Sequence, residues 1–146
     1  MNAHPMKARP LNDLEREGMA AERRWIDDLL AGFGSDVRLT GSTDDIPTLH
    51  TLLDRGPFTD DATGELELLG GAFGDVLANQ VGLCWVVYED EMGADFALQL
   101  GARDFFVFPR DMLVKRIEAG EPASEIDLHV MLDEVARAAH AHVREA

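Results

Sequence analysis

Hydrophobic residues near the start of the chain recur at intervals of three and four, which is the period of an amphipathic helix. This pattern predicts a helix over residues 12–33, with Leu14 and Trp25 on its apolar stripe. Asn12 and Glu15 have the spacing of a helix N-cap and its reciprocal acid, although the usual capping box has Ser or Thr as the cap. We therefore expect the helix to begin at about residue 12.

Two further helices are predicted before the middle of the chain. Asp44 or Asp45 can cap a short helix that Gly56 and Pro57 would end. A third helical pattern covers residues 63–81 and contains the glycines Gly70, Gly71 and Gly74. Glycine lowers helix propensity by about 1 kcal/mol relative to alanine. Its presence here therefore indicates a close packing partner, which we expect to be the sheet.

The hydrophobic pattern changes from a helical to an extended period after Gly82. Apolar and aromatic runs predict strands over residues 83–88, 95–100 and 105–108, joined by short turns. Short turns between successive strands are typical of a three-stranded antiparallel meander.

The outer strands of this meander carry apolar side chains on both faces. In the first strand, Cys84 and Val86 are expected to point to one face and Trp85, which lies between them, to the other. A sheet with one face in water would alternate apolar and polar positions instead. We therefore expect the second face to be covered, and the N-terminal helix bearing Trp25 and Phe33 is the favoured cover. Another subunit, and hence a homo-oligomer, is the alternative, because a large exposed aromatic patch is uncommon on a monomer.

The last part of the chain is again helical. A helix over residues 111–118 is stopped by Gly120, and Ser124 is expected to cap the final amphipathic helix. The predicted fold class is α+β, with a three-stranded antiparallel meander packed with N-terminal and C-terminal helices. Residues 1–10 are predicted to be a loose tail and residues 11–146 a single domain.

The charge of the chain is strongly negative and unevenly distributed. There are 28 acids against 13 Lys and Arg, a formal net charge of −15, and residues 56–102 contain neither Lys nor Arg. A field of this sign repels phosphate backbones and anionic membranes, so no nucleic-acid or membrane partner is expected. It attracts basic proteins, and solubility is the alternative reason for it. The acids of the predicted partner surface are Asp60, Asp61, Glu65, Glu67, Glu89, Asp90, Glu91 and Asp95.

Three features of the sequence bear on the compartment. Cys84 is the only cysteine, which fits a reducing environment. Lys7 and Arg9 are not followed by the apolar segment of a signal peptide. No apolar run reaches the length of about 18 residues that a membrane-spanning helix needs. We therefore expect a cytoplasmic protein.

One cluster of basic residues surrounds the predicted strand-to-helix junction at Pro109. A helix N-terminus with arginine nearby can hold an anion. The candidate anion site comprises Arg103, Arg110, Lys115 and Arg116. The alternative is an ordinary Asp111–Lys115 pair on a solvated helix face.

Residue types that carry chemistry occur without the spacing that their chemistry needs. Cys84 lies between apolar neighbours, so we expect a buried and inert thiol. The glycines of residues 70–74 match neither GxGxxG nor the phosphate loop GxxxxGK. His140 and His142 are two residues apart and point to different sides of a helix. No catalytic, metal-binding or cofactor-binding residue is assigned from the sequence.

Two segments of the second half of the chain carry motifs in a familiar order. The first is LLGGAFGD at residues 68–75, continued by GLCWVV at residues 82–87, and the second is FVFPRDMLVKRIE at residues 106–118. Together they resemble a family of bacterial domains of unknown function, family 3806, over roughly residues 66–135. The resemblance implies a domain of this family and brings no activity, cofactor or site residue with it.

The expected function is that of a non-enzymatic binding or regulatory domain that meets a protein partner through its acidic surface. Immunity-type neutralisation of a basic toxin is one concrete version. The alternative is a small enzyme or small-molecule binder with a site assembled from residues distant in sequence, such as His129, Asp111 and Arg110. A deep cleft with convergent polar groups would favour the alternative, whereas a flat or grooved acidic surface would favour the first function.

Overall fold

A computed structural model describes residues 7–55 and 62–145. In chain order the elements are strand β1 (Ala8–Pro10), helices α1 (Asp13–Gly32), α2 (Asp45–Arg55) and α3 (Thr63–Leu77), strands β2 (Cys84–Asp90), β3 (Gly93–Gln99) and β4 (Phe106–Val107), and helices α4 (Pro109–Glu118) and α5 (Leu128–Arg144). A turn of π-helix, Ala78–Gly82, extends α3, and a 3₁₀ turn, Ala123–Glu125, precedes α5. The fold class is α+β, as predicted.

The sheet has four strands in the order β1-β2-β3-β4, and all neighbours are antiparallel. The predicted meander is present as β2, β3 and β4, but the number of strands is corrected from three to four. Strand β1 pairs Arg9 with Val87 and lies in what was predicted to be a loose tail. Three residues are too few to show the alternation of a strand. Proline is also tolerated only in edge strands, so the sequence of β1 did not indicate a strand.

Helix α1 begins where its cap signal predicts. Asn12 Oδ1 accepts the Glu15 N–H at 2.8 Å, and Glu15 Oε1 accepts the Asn12 N–H at 2.9 Å. Arg9 Nη2 lies 2.8 Å from Glu15 Oε2, and these hydrogen bonds lower the pKa of Glu15 to about 2. One carboxylate therefore joins the edge strand to the start of the helix.

Helix α3 is buried among the other helices, and its glycines at positions 70, 71 and 74 face three different neighbours. A Cβ at Gly70 would collide with the backbone at the start of α4, and one at Gly74 would collide with the Trp85 ring on β2. A Cβ at Gly71 would lie 3.0 Å from the guanidinium of Arg23 on α1. The predicted close approach to the sheet is confirmed at Gly74, whereas the other two glycines make room for helices.

The first face of the sheet packs on the helices. Directly opposed residues of antiparallel strands share a face, so Trp85, Leu98 and Val107 point the same way. All three belong to or contact the main hydrophobic core, to which all five helices contribute. Further along this face Val87 clusters with Met19 of α1.

The N-terminal helix does not cover the second face of the sheet, which corrects the prediction. It packs on the first face, and Trp25 and Phe33 are 39% and 60% exposed. The second face carries Tyr88, whose ring meets Phe106 and Phe108 edge to face at centroid distances of 4.9 and 5.6 Å. These aromatic side chains cover one another, and a second subunit on this face stays a prediction.

Candidate functional site

The hairpin formed by β2 and β3 carries four of the predicted partner-surface acids on the outside of the molecule. Glu89, Asp90, Glu91 and Asp95 are exposed, and Met92 at the tip is 94% exposed. Residues 89–95 are named the acidic hairpin below. It presents one apolar side chain with four acids within three positions of it in the chain.

Short contacts fix three of these carboxylates. Asp90 Oδ1 accepts a main-chain N–H of the turn at 2.8 Å, and Asp95 Oδ1 accepts the Phe96 N–H at 2.8 Å. Arg9 Nε lies 3.2 Å from Glu89 Oε1, and both side chains are well exposed. An exposed pair of this kind contributes little stability, so the negative charge of the hairpin is only partly offset.

The surroundings of Asp95 disfavour its charged form. The residue as a whole is exposed, but partial burial of its carboxyl raises the pKa of this group, and the Asp111 carboxylate at the start of α4 raises this pKa further. The nearby Arg110 acts in the opposite direction. Like charges side by side repel, so a cation from outside the chain would stabilise this corner of the hairpin.

The other acids of the predicted surface are not part of this turn. Glu65 and Glu67 are half-buried near the start of α3. Asp60 and Asp61 lie outside the described residues. The part of the predicted surface that the structure brings together is therefore the acidic hairpin.

Two arginines of the predicted anion site form ion pairs with acids outside α4. Arg110 Nη1 lies 2.6 Å from Glu22 Oε1 of α1, and Arg116 Nη1 lies 3.3 Å from a glutamate that follows α4. Lys115 is exposed and Arg103 is half-buried. The carboxylates offset the charge of the two paired arginines, which lowers the attraction for an outside anion.

Cys84 is exposed, which corrects the prediction of a buried thiol. Its neighbours Leu83 and Trp85 pack in the main core, but successive side chains of a strand point to opposite faces. Cys84 is paired with Gln99 and so points to the second face at the open start of β2. The apolar run in the sequence contains residues that point to both faces of the sheet, so an apolar neighbour of Cys84 did not indicate that Cys84 itself is buried.

A cleft of about 460 Å³ opens where β1 ends and β2 begins. It is named the α1–β2 cleft and is lined by Pro10, Leu11, Arg16, Met19, Ala20, Arg23, Asp75, Cys84 and Trp85. The four α1 residues among them follow one another at intervals of three, one and three, so they lie on one side of that helix.

A shielded ion pair forms one wall of the cleft. Arg23 Nε and Nη2 donate to the two oxygens of Asp75 at 2.6 and 3.2 Å, and Trp85 Nε1 donates to Asp75 Oδ1 at 2.9 Å. The side chains of Arg23 and Asp75 are 14% and 31% exposed, and hydrogen bonds to charged groups are strong in such surroundings. Glu22 lies between Arg23 and Arg110 at 3.6 and 2.6 Å. These charges join α1, α3, β2 and α4.

A histidine supports the start of the last helix. His50 Nε2 accepts the Leu128 N–H at 3.0 Å, and the N-cap is Asp127, whose Oδ1 accepts the His129 N–H at 3.0 Å. The predicted cap, Ser124, lies in the preceding 3₁₀ turn. Burial lowers the pKa of His50 below 6.5, and the nearby His129 adds to this, whereas Asp127 opposes it. The hydrogen bond itself requires a neutral imidazole.

Acidification is expected to weaken the fold through His50. Because the pKa is lower in the folded chain, the unfolded chain takes up the proton first as the pH falls below 6.5. The free energy of unfolding should therefore decrease between about pH 7.5 and about pH 5.5. Urea unfolding of the wild type, His50→Gln and the exposed-site control His140→Gln measures this. Equal pH dependence in all three chains would contradict it.

The structure does not bring the three residues of the alternative site together. Arg110 and Asp111 both act on the Asp95 carboxyl, whereas the His129 ring lies beside His50. In residues 7–55 and 62–145, no three or more His, Cys, Asp or Glu side chains are grouped so that they could hold a metal ion. Nor does any helix in those stretches have the length and apolar character to cross a membrane.

The residues of the α1–β2 cleft were not predicted as a site. Arg23 and Asp75 are 52 positions apart, so their pairing has no local pattern. The available signal was Asp75 itself, a single acid directly after the glycines and apolar residues of the LLGGAFGD motif. An acid in such a position indicates a basic or hydrogen-bonding partner, because burial of a carboxylate without one is unfavourable in free energy.

The molecule is a small α+β domain with an acidic hairpin at one end of β2 and a cleft at the other. The family model "Domain of unknown function (DUF3806)" matches residues 45–127, and the chain belongs to this family. The matched range contains Asp75, Trp85 and the acidic hairpin, whereas β1 and α1 precede it. The cleft therefore combines family-matched residues with residues outside that range.

A solved structure shares the fold. No curated protein matches the chain. A crystal structure from Bacteroides thetaiotaomicron VPI-5482, at 1.50 Å resolution, superposes with a TM-score of 0.67 at 17% sequence identity. The match covers 95% of this chain and 48% of that chain, so this chain spans about half the length of that one. The likeness extends the shared fold beyond the family-matched range.

Proposed function

We propose that this domain binds a basic protein partner through the acidic hairpin, as a binding or regulatory module. The observation that carries the proposal is the acidic hairpin itself, in which four exposed acids lie within three positions of Met92, and Met92 is 94% exposed. Interfaces commonly combine an apolar contact with charged groups at the rim, and methionine is enriched in them. Immunity-type neutralisation of a basic toxin is one concrete form of this function.

The repulsion between Asp95 and Asp111 supports the same proposal. Partial burial raises the pKa of the Asp95 carboxyl and Asp111 raises it further, and a lysine or arginine of a partner placed beside the two carboxylates would stabilise their charged forms. Charge complementarity of this kind mainly accelerates and orients association, and it is sensitive to salt. The alternative function, binding of a small molecule, is favoured by a different observation, the α1–β2 cleft.

Reversing one charge at the tip of the hairpin is expected to abolish capture of the partner. Proteins retained by the immobilised wild-type chain should be basic and should elute between about 50 and about 150 mM salt, where screening becomes strong. Glu91→Lys should lose them, whereas Glu17→Lys should retain them, because Glu17 makes the same charge change at an exposed position on α1. Quantitative mass spectrometry of the three eluates measures the difference. If the Glu91→Lys chain still retains the partners, or if salt does not elute them, the hairpin is not the docking surface.

A further inference from the structure

The α1–β2 cleft has an apolar interior. Leu11 and Met19 form one small buried cluster with Val87, and the half-buried Trp85 packs against it. The volume of about 460 Å³ falls within the range of about 300–1,000 Å³ that is usual for small-molecule sites. The body of a ligand that fits here is therefore aliphatic or aromatic.

The charges of the cleft favour an anionic ligand. Arg23 and Asp75 offset each other through two hydrogen bonds, and Trp85 adds a third donor to Asp75. Arg16 is left at the mouth, where its contact with Asp13 is 3.3 Å long and the two side chains are 58% and 101% exposed. Such an exposed pair is easily exchanged for another anion. The mouth thus offers a positive group in a chain whose net charge is −15.

We propose that the α1–β2 cleft binds a small organic monoanion. Its apolar body lies against Leu11, Met19 and the Trp85 ring, and its anionic group pairs with Arg16. The Arg23–Asp75 pair holds the walls at a fixed distance, so the site is formed before the ligand arrives. Preorganisation of this kind reduces the entropy that binding must lose.

This site is separate from the proposed docking surface. The cleft adjoins Cys84 at the start of β2, and the acidic hairpin begins at the other end of this seven-residue strand. Cys84 and the first residue of the hairpin, Glu89, are about 17 Å apart along the strand. Each proposal can therefore fail without the other.

The chain offers a reporter for the test. Trp85 lines the cleft, and Trp25→Phe makes it the only indole, because the chain has two tryptophans. Octanoate and 3-phenylpropanoate are the anionic probes, and octan-1-ol and octylamine are the neutral and cationic counterparts.

We expect at least one of the two carboxylates to give a saturable change in Trp85 fluorescence. Octan-1-ol and octylamine should bind about tenfold more weakly, because they lack the charge-assisted contact with Arg16. The proposal is overturned if neither carboxylate gives a saturable change, or if the neutral or cationic probe binds as tightly.

Two matched pairs of variants locate the site. Arg16→Gln should weaken carboxylate binding about tenfold, whereas Arg24→Gln, at an exposed position of the same helix that does not line the cleft, should not. Ala20→Phe fills the cleft from an exposed helical position and should abolish binding, while Ala21→Phe should preserve it. Equal effects within either pair would place the probe elsewhere and would also overturn the proposal.

Discussion

Replacing Gly70 by alanine is expected to lower the free energy of unfolding by about 3 kcal/mol, because the core has no room for the added methyl group. The Cβ would collide with the carbonyl oxygen of Pro109 and would also press on Arg110 Cα. Both are backbone atoms, so relief requires that α4 as a whole moves away from α3. Urea or thermal unfolding measures the change.

Gly18→Ala is the matched control for this substitution. Gly18 is a helical glycine of α1 with nothing within 4 Å of the added Cβ. Alanine there should raise stability by about 0.5–1 kcal/mol through helix propensity alone. If Gly70→Ala proves as harmless as Gly18→Ala, the contact between α3 and α4 is looser than described.

Replacing Asp75 by asparagine is expected to cost about 2–3 kcal/mol, because it removes the carboxylate nearest to the shielded Arg23 and leaves only the longer contact with Glu22, at 3.6 Å. Asp75 accepts two hydrogen bonds from Arg23 and one from Trp85. An amide can accept at one oxygen only, and its NH₂ group would oppose an arginine N–H. The loss should appear both in urea unfolding and as a change in Trp85 fluorescence.

Asp133→Asn makes the same chemical change in a surface ion pair. Asp133 Oδ2 lies 2.7 Å from Arg137 Nη2, but these side chains are 58% and 79% exposed. Its cost should stay below about 0.5 kcal/mol, as is usual for exposed pairs. Equal costs for the two variants would mean that the Arg23–Asp75–Trp85 network adds nothing to stability.

Much of the fold could be predicted because it depends on local patterns. The three- and four-residue period predicted α1, and the Asn12–Glu15 spacing located its first turn, since both act within one turn of helix. The change of period after Gly82 predicted the meander. The edge strand β1 could not be predicted, because three residues are too few to show a period and their pairing with β2 is long-range.

The candidate site was less accessible from the sequence. The acids of the hairpin were predicted as a surface, since turn residues between two strands face solvent. The side chains facing each glycine and the exposure of Cys84 depend on how α1, α3 and α4 are arranged around the sheet, and no local pattern records that arrangement. The α1–β2 cleft has the same origin: its walls come from stretches that meet only in the folded chain.

The position of β1 also has a consequence for the order of folding. Arg9 and its partner Glu89 are 80 positions apart, whereas β2, β3 and β4 pair across short turns. Closing a long loop loses more chain entropy than closing a short one, and contacts of large sequence separation slow folding. During synthesis the first strand leaves the ribosome long before its partner exists. The meander can therefore close before the edge strand joins it. The ligand-binding cleft would then exist only in chains that have completed this step, so a cleft-bound fluorescent anion could report fully folded molecules.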